Sequence, residues 1–423
     1  MKNIPLLKIC FILIAVAYGQ IATSQINLNK ANPTKGGMSA ERLAKLDSKM
    51  HKIVDDGQLS AVQTMIYRKG QLVHSDIYGY EDIDSQDPLK ENSIWRIYSM
   101  TKPIVSIGIM QQYEMGKFNL NDPLSKYIPA FRKMKVHVGN HVMEDAKNEI
   151  KIIDLMRHTS GLGYGWSGGY VDTLYAMSGS RAMSKDNEVF TNTLAELPLY
   201  SEPGTGFQYS FSTDVLGRLL EVISGQPLDE YLDEHIFTPL GMDDTFFEVP
   251  DDKEDRFVTN YTTNPETGKL QVIDHPSTSK FCGDVTLFSG GGGLASTASD
   301  YLKFSKMLLH KGILNGERII SPKTIELMTQ DHCADIPYGG NGPVVLPANG
   351  HGFGLGFTMT KDLAASASLG SVGTYGWSGA AGTYFRVDPK EDLIYIMMIQ
   401  IMPNAQLQAS EKFKTLVYQA IVD

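Results

Sequence analysis

The chain has 423 residues, of which 42% are hydrophobic and 20% charged, and its formal net charge at pH 7 is -10. A chain of this length can bury one large core or two lobes without disulfide or metal staples. The acidic balance argues against nucleic acid as a partner, because phosphate binding needs a basic surface. The ten histidines are scattered, with no His-Glu-x-x-His or Cys-x-x-Cys grouping, so neither a metal nor another cofactor is expected.

The first residues have the pattern of a secretory signal. A short basic start over Met1–Lys8 precedes a brief apolar run over Ile9–Ala17, and small residues suited to cleavage follow. We predict a signal peptide over 1–24, a polar linker over 25–38 and one large domain over 39–423, located in the periplasm or outside the cell. The apolar run is too short to span a bilayer comfortably, so no stable membrane insertion is expected; an uncleaved anchor is the alternative.

Apolar periodicity predicts a hairpin near each end of the domain, with a helix beside each. In chain order the predicted elements are a helix over Ala40–Val54, strands over Ala61–Tyr67 and Gln71–Tyr78, strands over Gly382–Val387 and Leu393–Ile399, and a helix over Ala409–Ile421. Mostly helical sequence lies between the hairpins. This order predicts an α/β protein of the α+β type, with one antiparallel sheet built from both termini, flanked by helices, and an inserted helical lobe. We place the sheet lobe at about 39–98 and 290–423 and the helical lobe at about 99–289.

The tetrad Ser99-Met100-Thr101-Lys102 carries the strongest chemical signal. A serine and a lysine three apart on a helix share one face, so the amine can reach the hydroxyl and act as its base. The residues Ser93–Tyr98 read as extended, and Pro103–Met110 are apolar nearly all round, which is typical of a buried helix. Ser99 then lies at the positive end of that helix, where N–H groups favour an oxyanion. The same spacing recurs at Ser277–Lys280, but without apolar periodicity around it.

Other glycine-rich patterns are weaker. The segment Gly165–Gly169 matches the Gly-x-Ser-x-Gly elbow, which we reject because an elbow must follow a strand and open a helix. The stretch Tyr164–Tyr200 is rich in Gly, Ser and Met and is predicted to form a cap over a pocket. The run Ser289–Gly293 lacks the Lys-Ser/Thr of a phosphate loop, so it predicts a close backbone approach near the site.

Tyr209 lies just ahead of a predicted helix over Asp214–Ser224, and taken alone it reads as a packed aromatic. Taken together with Ser99 and Lys102, however, Tyr209 makes the chain resemble the serine β-lactamase and penicillin-binding-protein superfamily. Within it the chain is most similar to the family VIII carboxylesterases, which are similar to class C β-lactamases. The matching segments are Tyr98–Pro103, Leu155–Leu162, Tyr209-Ser210 with Asp214–Gly217, Pro239–Met242, Gly290–Thr297 and Trp377–Gly379. They run in the expected order and cover nearly all of the chain after Ala40.

The resemblance implies roles for four residues. Ser99 is the expected nucleophile, Lys102 and Tyr209 are the expected general base and acid, and the N–H groups of Ser99 and Ala380 are the expected oxyanion hole. An amine is a base only when it is neutral, and burial beside a phenol is one way to favour that form.

Two departures from the β-lactamase pattern bear on the substrate. Trp377-Ser378-Gly379 stands where those enzymes carry Lys-Thr-Gly, and Phe211 stands where the second motif usually ends in Asn. The cation that pairs with a substrate carboxylate is therefore missing, and leaving that carboxylate unpaired in a partly dry pocket is costly. Both changes favour an uncharged, moderately apolar ester in contact with Trp377, Ser378, Gly379 and Phe211. Arg386 is a possible substitute cation unless it faces away.

The leading hypothesis is a secreted serine carboxylesterase that acts on a small-molecule ester or amide through an acyl-enzyme. The alternatives are a β-lactamase or D-amino-acid peptidase of the same fold, an acyltransferase, and an idle binding domain that is acylated once. His158 is interpreted as structural, because Lys102 and Tyr209 already fill the role of base. Cys282 and Cys333 form either one disulfide or two free thiols.

Overall fold

The computed structural model describes residues 30–166, 168–179, 185–337 and 349–423. The α-helices are α1 Ala40–Asp55, α2 Thr101–Glu114, α3 Ile152–Met156, α4 Tyr170–Met177, α5 Asn187–Ala195, α6 Ser212–Ser224, α7 Leu228–Leu232, α8 Thr238–Leu240, α9 Ala298–Leu309, α10 Pro322–Met328, α11 Leu363–Ser366 and α12 Ala409–Gln419. The strands are β1 Ala61–Arg68, β2 Gln71–Asp82, β3 Asp87–Pro88, β4 Ile94–Arg96, β5 Lys135–Gly139, β6 Val142–Asp145, β7 Asn260–Thr263, β8 Leu270–Asp274, β9 Ala295–Thr297, β10 Ile313–Leu314, β11 Glu317–Arg318, β12 His351–Phe353, β13 Thr358–Thr360, β14 Tyr375–Ser378, β15 Tyr384–Asp388 and β16 Leu393–Met398.

An eight-stranded antiparallel sheet with the order β12-β13-β14-β15-β16-β1-β2-β3 forms the centre of the molecule. The two ends of the chain meet in it, because β1 pairs with β16 in a register that places Gln63 opposite Met398. Side chains alternate along β16: Ile394 and Ile396 face the main core, whereas Tyr395 and Met397 pack with α1 and α12. The predicted sheet built from both termini is therefore confirmed.

The segment before α1 differs from the linker predicted over 25–38. Met38 is completely buried and forms a bridge with Ile421. The guanidinium of Arg68, which is 2% exposed, donates to the carbonyl oxygens of Gly36 and Gly37. A buried guanidinium needs such acceptors, so residues 31–38 pack against the sheet instead of forming a free linker. The predicted signal over 1–24 lies outside the described residues.

Helix α2 is the central helix of the helical lobe. Every residue from Thr101 to Gln112 is buried, as the uniform apolar pattern of this segment predicts. Helix α6 crosses it closely at Gly108, where a Cβ would lie 2.9 Å from a methyl carbon of Leu220. The first turn of α2 is thereby held inside the protein, between the helical lobe and the sheet.

The two cysteines of the described chain are free thiols. Cys333 is buried in the main core, and Cys282 packs beside a separate small cluster. Burial raises the pKa of each thiol to about 12, so both stay protonated at neutral pH. Of the two arrangements open from the sequence, the structure has the free thiols.

Within the described ranges, no helix combines the length and the apolar character that a membrane span requires.

Candidate active site

Ser99 lies in a 3-10 turn, Tyr98–Met100, that runs directly into α2. Tyr98 has a φ of +42°, a left-handed conformation that is unfavourable for a residue with a bulky side chain. Its hydroxyl accepts a hydrogen bond from Asn260 Nδ2 at 3.2 Å, and its ring meets the Phe281 ring edge-on. These contacts hold the strained turn that presents Ser99, an arrangement found where a fold fixes a functional side chain.

Lys102 reaches Ser99, as the spacing of the tetrad predicts. The side chain is buried, and its Nζ donates to Ser99 Oγ at 3.2 Å. The same nitrogen donates to the carbonyl oxygen of Gly291 at 2.5 Å. Gly291 is required there, since a Cβ at this position would collide with the Asp214 carboxylate. The glycine run thus brings backbone close to the site, in agreement with the prediction for Ser289–Gly293.

The charge on Lys102 differs from the sequence-based expectation. Burial lowers its pKa, but Tyr164, Tyr209 and Asp214 raise it by more, so that the net pKa lies above the ordinary value of 10.5. Asp214 is buried, and its Oδ1 accepts a hydrogen bond from Ser289 Oγ at 2.5 Å. A buried carboxylate and two phenols therefore favour the ammonium form, whereas burial alone would favour the neutral amine.

Two tyrosines flank the ammonium group. Its nitrogen lies 4.8 Å from the centre of the Tyr209 ring and 5.6 Å from that of Tyr164. Tyr209 shares the cavity wall with Ser99, and its oxygen accepts a hydrogen bond from Trp377 Nε1 at 3.3 Å. Tyr164 also hydrogen-bonds Lys102, a contact that the sequence analysis missed. Its position just after the segment ending at Leu162 was the available signal, but only the fold shows which way its ring points.

The turn between β14 and β15 faces Ser99 from the sheet. A Cβ on Gly379 would lie 2.6 Å from the Ile97 carbonyl oxygen and would collide with the Thr383 hydroxyl. The turn therefore approaches the chain two residues before Ser99 as closely as backbone allows. Ala380 follows at the tip and lines the cavity with Ser99. Among the described residues, no acceptor is paired with the Ala380 N–H.

A cavity of about 590 Å³ opens at Ser99. Of the predicted substrate contacts, Trp377, Ser378 and Gly379 line it, together with Trp166 from the predicted cap. Phe211 is not among the described lining residues; it is buried, and its ring meets the Tyr164 ring edge-on with the ring centres 4.5 Å apart. Its contact with substrate therefore stays a prediction.

The described residues that line the cavity include neither lysine nor arginine, and Glu411 is the one charged side chain among them. Arg386, the possible substitute cation, is not among these lining residues: its Nη1 donates to the carbonyl oxygen of Trp377 at 3.1 Å and its guanidinium lies over the Tyr384 ring. A bound carboxylate would therefore find no cationic partner on this part of the wall.

His158 packs against the site without entering it. It is buried, with its ring 4.7 Å from the Tyr209 ring and its Nδ1 3.4 Å from Ser210 Oγ. Burial, and then the charge of Lys102, hold its pKa well below the ordinary value. The neutral imidazole supports the structural interpretation made from the sequence.

The predicted cap over Tyr164–Tyr200 contains α4 and α5, and Trp166, which is 51% exposed, lies at the cavity mouth. The rejected elbow serine, Ser167, lies outside the described residues. The glycine segment around it leads into α4 from a loop, whereas an elbow follows a strand.

Comparison with known proteins gives a consistent result. A family model described as Beta-lactamase matches residues 46–419. Protein Rv1367c of Mycobacterium tuberculosis is 34% identical over 372 residues, which cover 85% of this chain and 90% of that protein. Esterase EstB of Burkholderia gladioli is 28% identical over 375 residues, covering 84% and 90%. The solved structure of EstCE1, a hydrolase with promiscuous acyltransferase activity, superposes with a TM-score of 0.76 at 25% identity, covering 89% of this chain and 99% of that one.

Proposed function

Because the chain belongs to the beta-lactamase family and is a serine hydrolase related to esterases, we propose that it cleaves uncharged carboxylic esters through an acyl-enzyme on Ser99. The observation that carries this proposal is the hydrogen bond from Lys102 to Ser99 Oγ at the edge of a cavity whose described wall lacks a cation. The first feature places a cation against the Ser99 oxygen, which favours the ionised form of that nucleophile. The second favours a neutral ester over a substrate carboxylate.

The proposed chemistry uses Lys102 and Tyr209 as a pair. In the proposed step Lys102 keeps its proton and Tyr209 acts in its deprotonated form; the Lys102 nitrogen lies 4.8 Å from the centre of the Tyr209 ring, and Trp377 donates a hydrogen bond to the Tyr209 oxygen. The phenolate takes the proton of Ser99 as the oxygen attacks the ester carbonyl carbon. When the carbon–oxygen bond to the alcohol breaks, Tyr209 returns that proton to the leaving oxygen. Water then repeats the sequence on the acyl-enzyme and releases the acid.

The negative oxygen of each tetrahedral intermediate needs donors that are already in place. We propose the N–H groups of Ser99 and Ala380. Ser99 lies at the positive end of α2, and the turn holding Ala380 packs against Ile97. Two donors from separate elements can then converge on one oxygen.

Hydrolysis of p-nitrophenyl butyrate by the wild-type protein, Ser99→Ala and Ser277→Ala tests the proposal. We expect Ser99→Ala to lower kcat by about 10³-fold or more. Ser277→Ala, which alters the exposed serine with the same lysine spacing, keeps full activity. Equal turnover by Ser99→Ala and wild type would contradict the mechanism. Hydrolysis of a chromogenic cephalosporin at rates rivalling the ester would favour the β-lactamase alternative.

Acyl transfer to an alcohol is a second candidate, favoured by the similarity to EstCE1, which is described as having promiscuous acyltransferase activity. An alcohol can replace water in the second step, since both attack the same acyl carbon. Chromatography of reactions with p-nitrophenyl butyrate and 1-butanol tests this. Butyl butyrate that is missing with Ser99→Ala would support the transfer, and butyric acid alone would exclude it for this acceptor.

Secretion remains a prediction from residues 1–24. It is tested by expressing the full chain in a bacterium and sequencing the N-terminus of the protein from the periplasm and medium. A mature start near residue 25 would support it. An intact Met1 in the cytoplasmic fraction would contradict it.

A further inference from the structure

We propose that Asn404 is a positioning residue for the oxyanion hole, acting through the carbonyl group of Ala380. The proposal rests on the proposed function, because it takes the Ala380 N–H as an oxyanion donor. The side-chain amide of Asn404 donates from Nδ2 to the Ala380 carbonyl oxygen at 2.6 Å. This contact joins the loop after β16 to the tip of the β14–β15 turn.

The direction of the Ala380 N–H depends on the two peptide groups that flank its Cα. The peptide that contains this N–H also contains the Gly379 carbonyl, which accepts from the Gly382 N–H at 3.0 Å. The following peptide contains the Ala380 carbonyl, which is held by Asn404. The next carbonyl, that of Ala381, accepts from the Ile401 N–H at 3.0 Å. Two successive peptides of the tip are thus held by the segment 401–404.

The turn is shaped to let Asn404 approach. Gly382 has a φ of +94°, and a Cβ there would lie 2.5 Å from Ile399 Cδ1 and 3.5 Å from Asn404 Cβ. The segment that carries Asn404 is itself attached to β7, because the Met402 N–H donates to the Tyr261 carbonyl at 2.8 Å. The backbone that carries Asn404 is therefore held in place by β7.

Stability alone does not account for this contact. Ala380 is an exposed residue, so its carbonyl would hydrogen-bond water if Asn404 were absent, and the exchange changes the free energy of unfolding little. What water cannot do is hold the peptide in one orientation. An oxyanion hole depends on that orientation, since its donors must be in place before charge develops.

The test compares wild type with Asn404→Asp, which keeps the shape but replaces the donor by a carboxylate, and with Asn148→Asp as a matched control. The exposed Asn148 also donates from Nδ2 to a backbone carbonyl oxygen, that of Pro203 at 3.1 Å, and it is not among the described residues that line the cavity. For p-nitrophenyl butyrate we expect Asn404→Asp to lower kcat about tenfold or more with KM changed less than twofold. Inhibition by a butyl boronic acid, whose adduct on Ser99 places an oxygen in the hole, should weaken by a similar factor. The melting temperature of Asn404→Asp and the kinetics of Asn148→Asp should match wild type.

Wild-type kcat and boronate affinity in Asn404→Asp would overturn the proposal, as would a raised KM with unchanged kcat, which would indicate a direct substrate contact. If Ser99→Ala is inactive while Asn404→Asp behaves as wild type, the inference about Asn404 fails and the proposed function stands. If Ser99→Ala remains active, the proposed function itself fails.

Discussion

At the scale of single residues, the proposed mechanism depends on the charge on Lys102. A buried lysine alone is a natural base, because desolvation disfavours its ammonium form. Here the Asp214 carboxylate and the phenols of Tyr164 and Tyr209 reverse that balance. In the proposed mechanism the amine is therefore the positive partner of a phenol, and a tyrosine is the base.

Replacing each phenol by phenylalanine tests this assignment. Tyr209 lies on the cavity wall with Ser99 and accepts from Trp377, so Tyr209→Phe should lower kcat for p-nitrophenyl butyrate by about 10²- to 10⁴-fold. Tyr164→Phe, which removes the other phenol near Lys102, should have the smaller effect. The measurement is steady-state kinetics at pH 7.5. A larger loss in Tyr164→Phe would move the base to Tyr164.

Ser99 and Lys102 could be predicted from the local context of their tetrad, whereas Tyr209, which alone reads as a packed aromatic, was predicted only from the family resemblance. The role of Asp214 and Tyr164 near Lys102 was not predicted, since these contacts depend on how α6 and the cap pack on α2. The edge-on contact of Phe211 with the Tyr164 ring was not predicted for the same reason, since its neighbours in the motif do not show this contact.

At the scale of elements, the site is the meeting point of the start of α2 and the β14–β15 turn. The helices and hairpins at both ends were predicted within one to four residues of their observed bounds, because apolar periodicity is a local property. In contrast, Gly379 and Ile97 are in contact although most of the chain lies between them in the sequence. A local sequence pattern therefore cannot predict this contact.

Gly379→Ala tests this contact. A Cβ would press on the Ile97 carbonyl and the Thr383 hydroxyl, so the turn must move away from Ser99 and kcat should fall about tenfold or more. Gly206→Ala is the control, because its Cβ would have no neighbour nearer than 3.7 Å. Steady-state kinetics and thermal melting of both variants provide the measurement. Unchanged kcat in Gly379→Ala would show that the close approach does not position the turn.

At the scale of the whole molecule, the central sheet joins the N-terminal and C-terminal parts of the described chain, because β1 pairs with β16. Arg68 donates to both Asp423 and Glu391, so one buried side chain of β1 ties the last residue to the turn before β16. A buried guanidinium that loses its partners is strongly destabilising. The sheet that carries the β14–β15 turn therefore depends on contacts between residues near the two ends of the described chain.

A cluster between α1 and β2 predicts how stability changes with pH. Burial, and then the charge of Asp76, raise the pKa of Asp47 to about 6, although the charges of Lys30 and His51 oppose this. The Nε2 atom of His74 lies 3.4 Å from Asp47 Oδ1. This imidazole is neutral, because burial lowers its pKa to about 3. A raised folded-state pKa means that the folded protein binds more protons than the unfolded chain between about pH 4 and 6. Stability contributed by this group therefore falls as the pH rises through that window.

Asp47→Asn removes this titration. At pH 7.5 the variant should be more stable than wild type by about 1 kcal/mol, a figure reduced for the partial exposure of the carboxylate. The difference should vanish near pH 4, where Asp47 is protonated in the folded protein. Urea unfolding at both pH values is the measurement. A variant that is less stable at pH 7.5, or a gap that does not change with pH, would contradict this interpretation.

The central claim is that an acyl group passes through Ser99. The most direct measurement is mass spectrometry of protein quenched with acid during turnover of p-nitrophenyl butyrate, followed by peptide mapping. We expect one butyryl group per chain on the peptide that contains Ser99, and none in Ser99→Ala. A butyryl group on a different residue, or rapid release of p-nitrophenol with a burst but without any adduct, would contradict it.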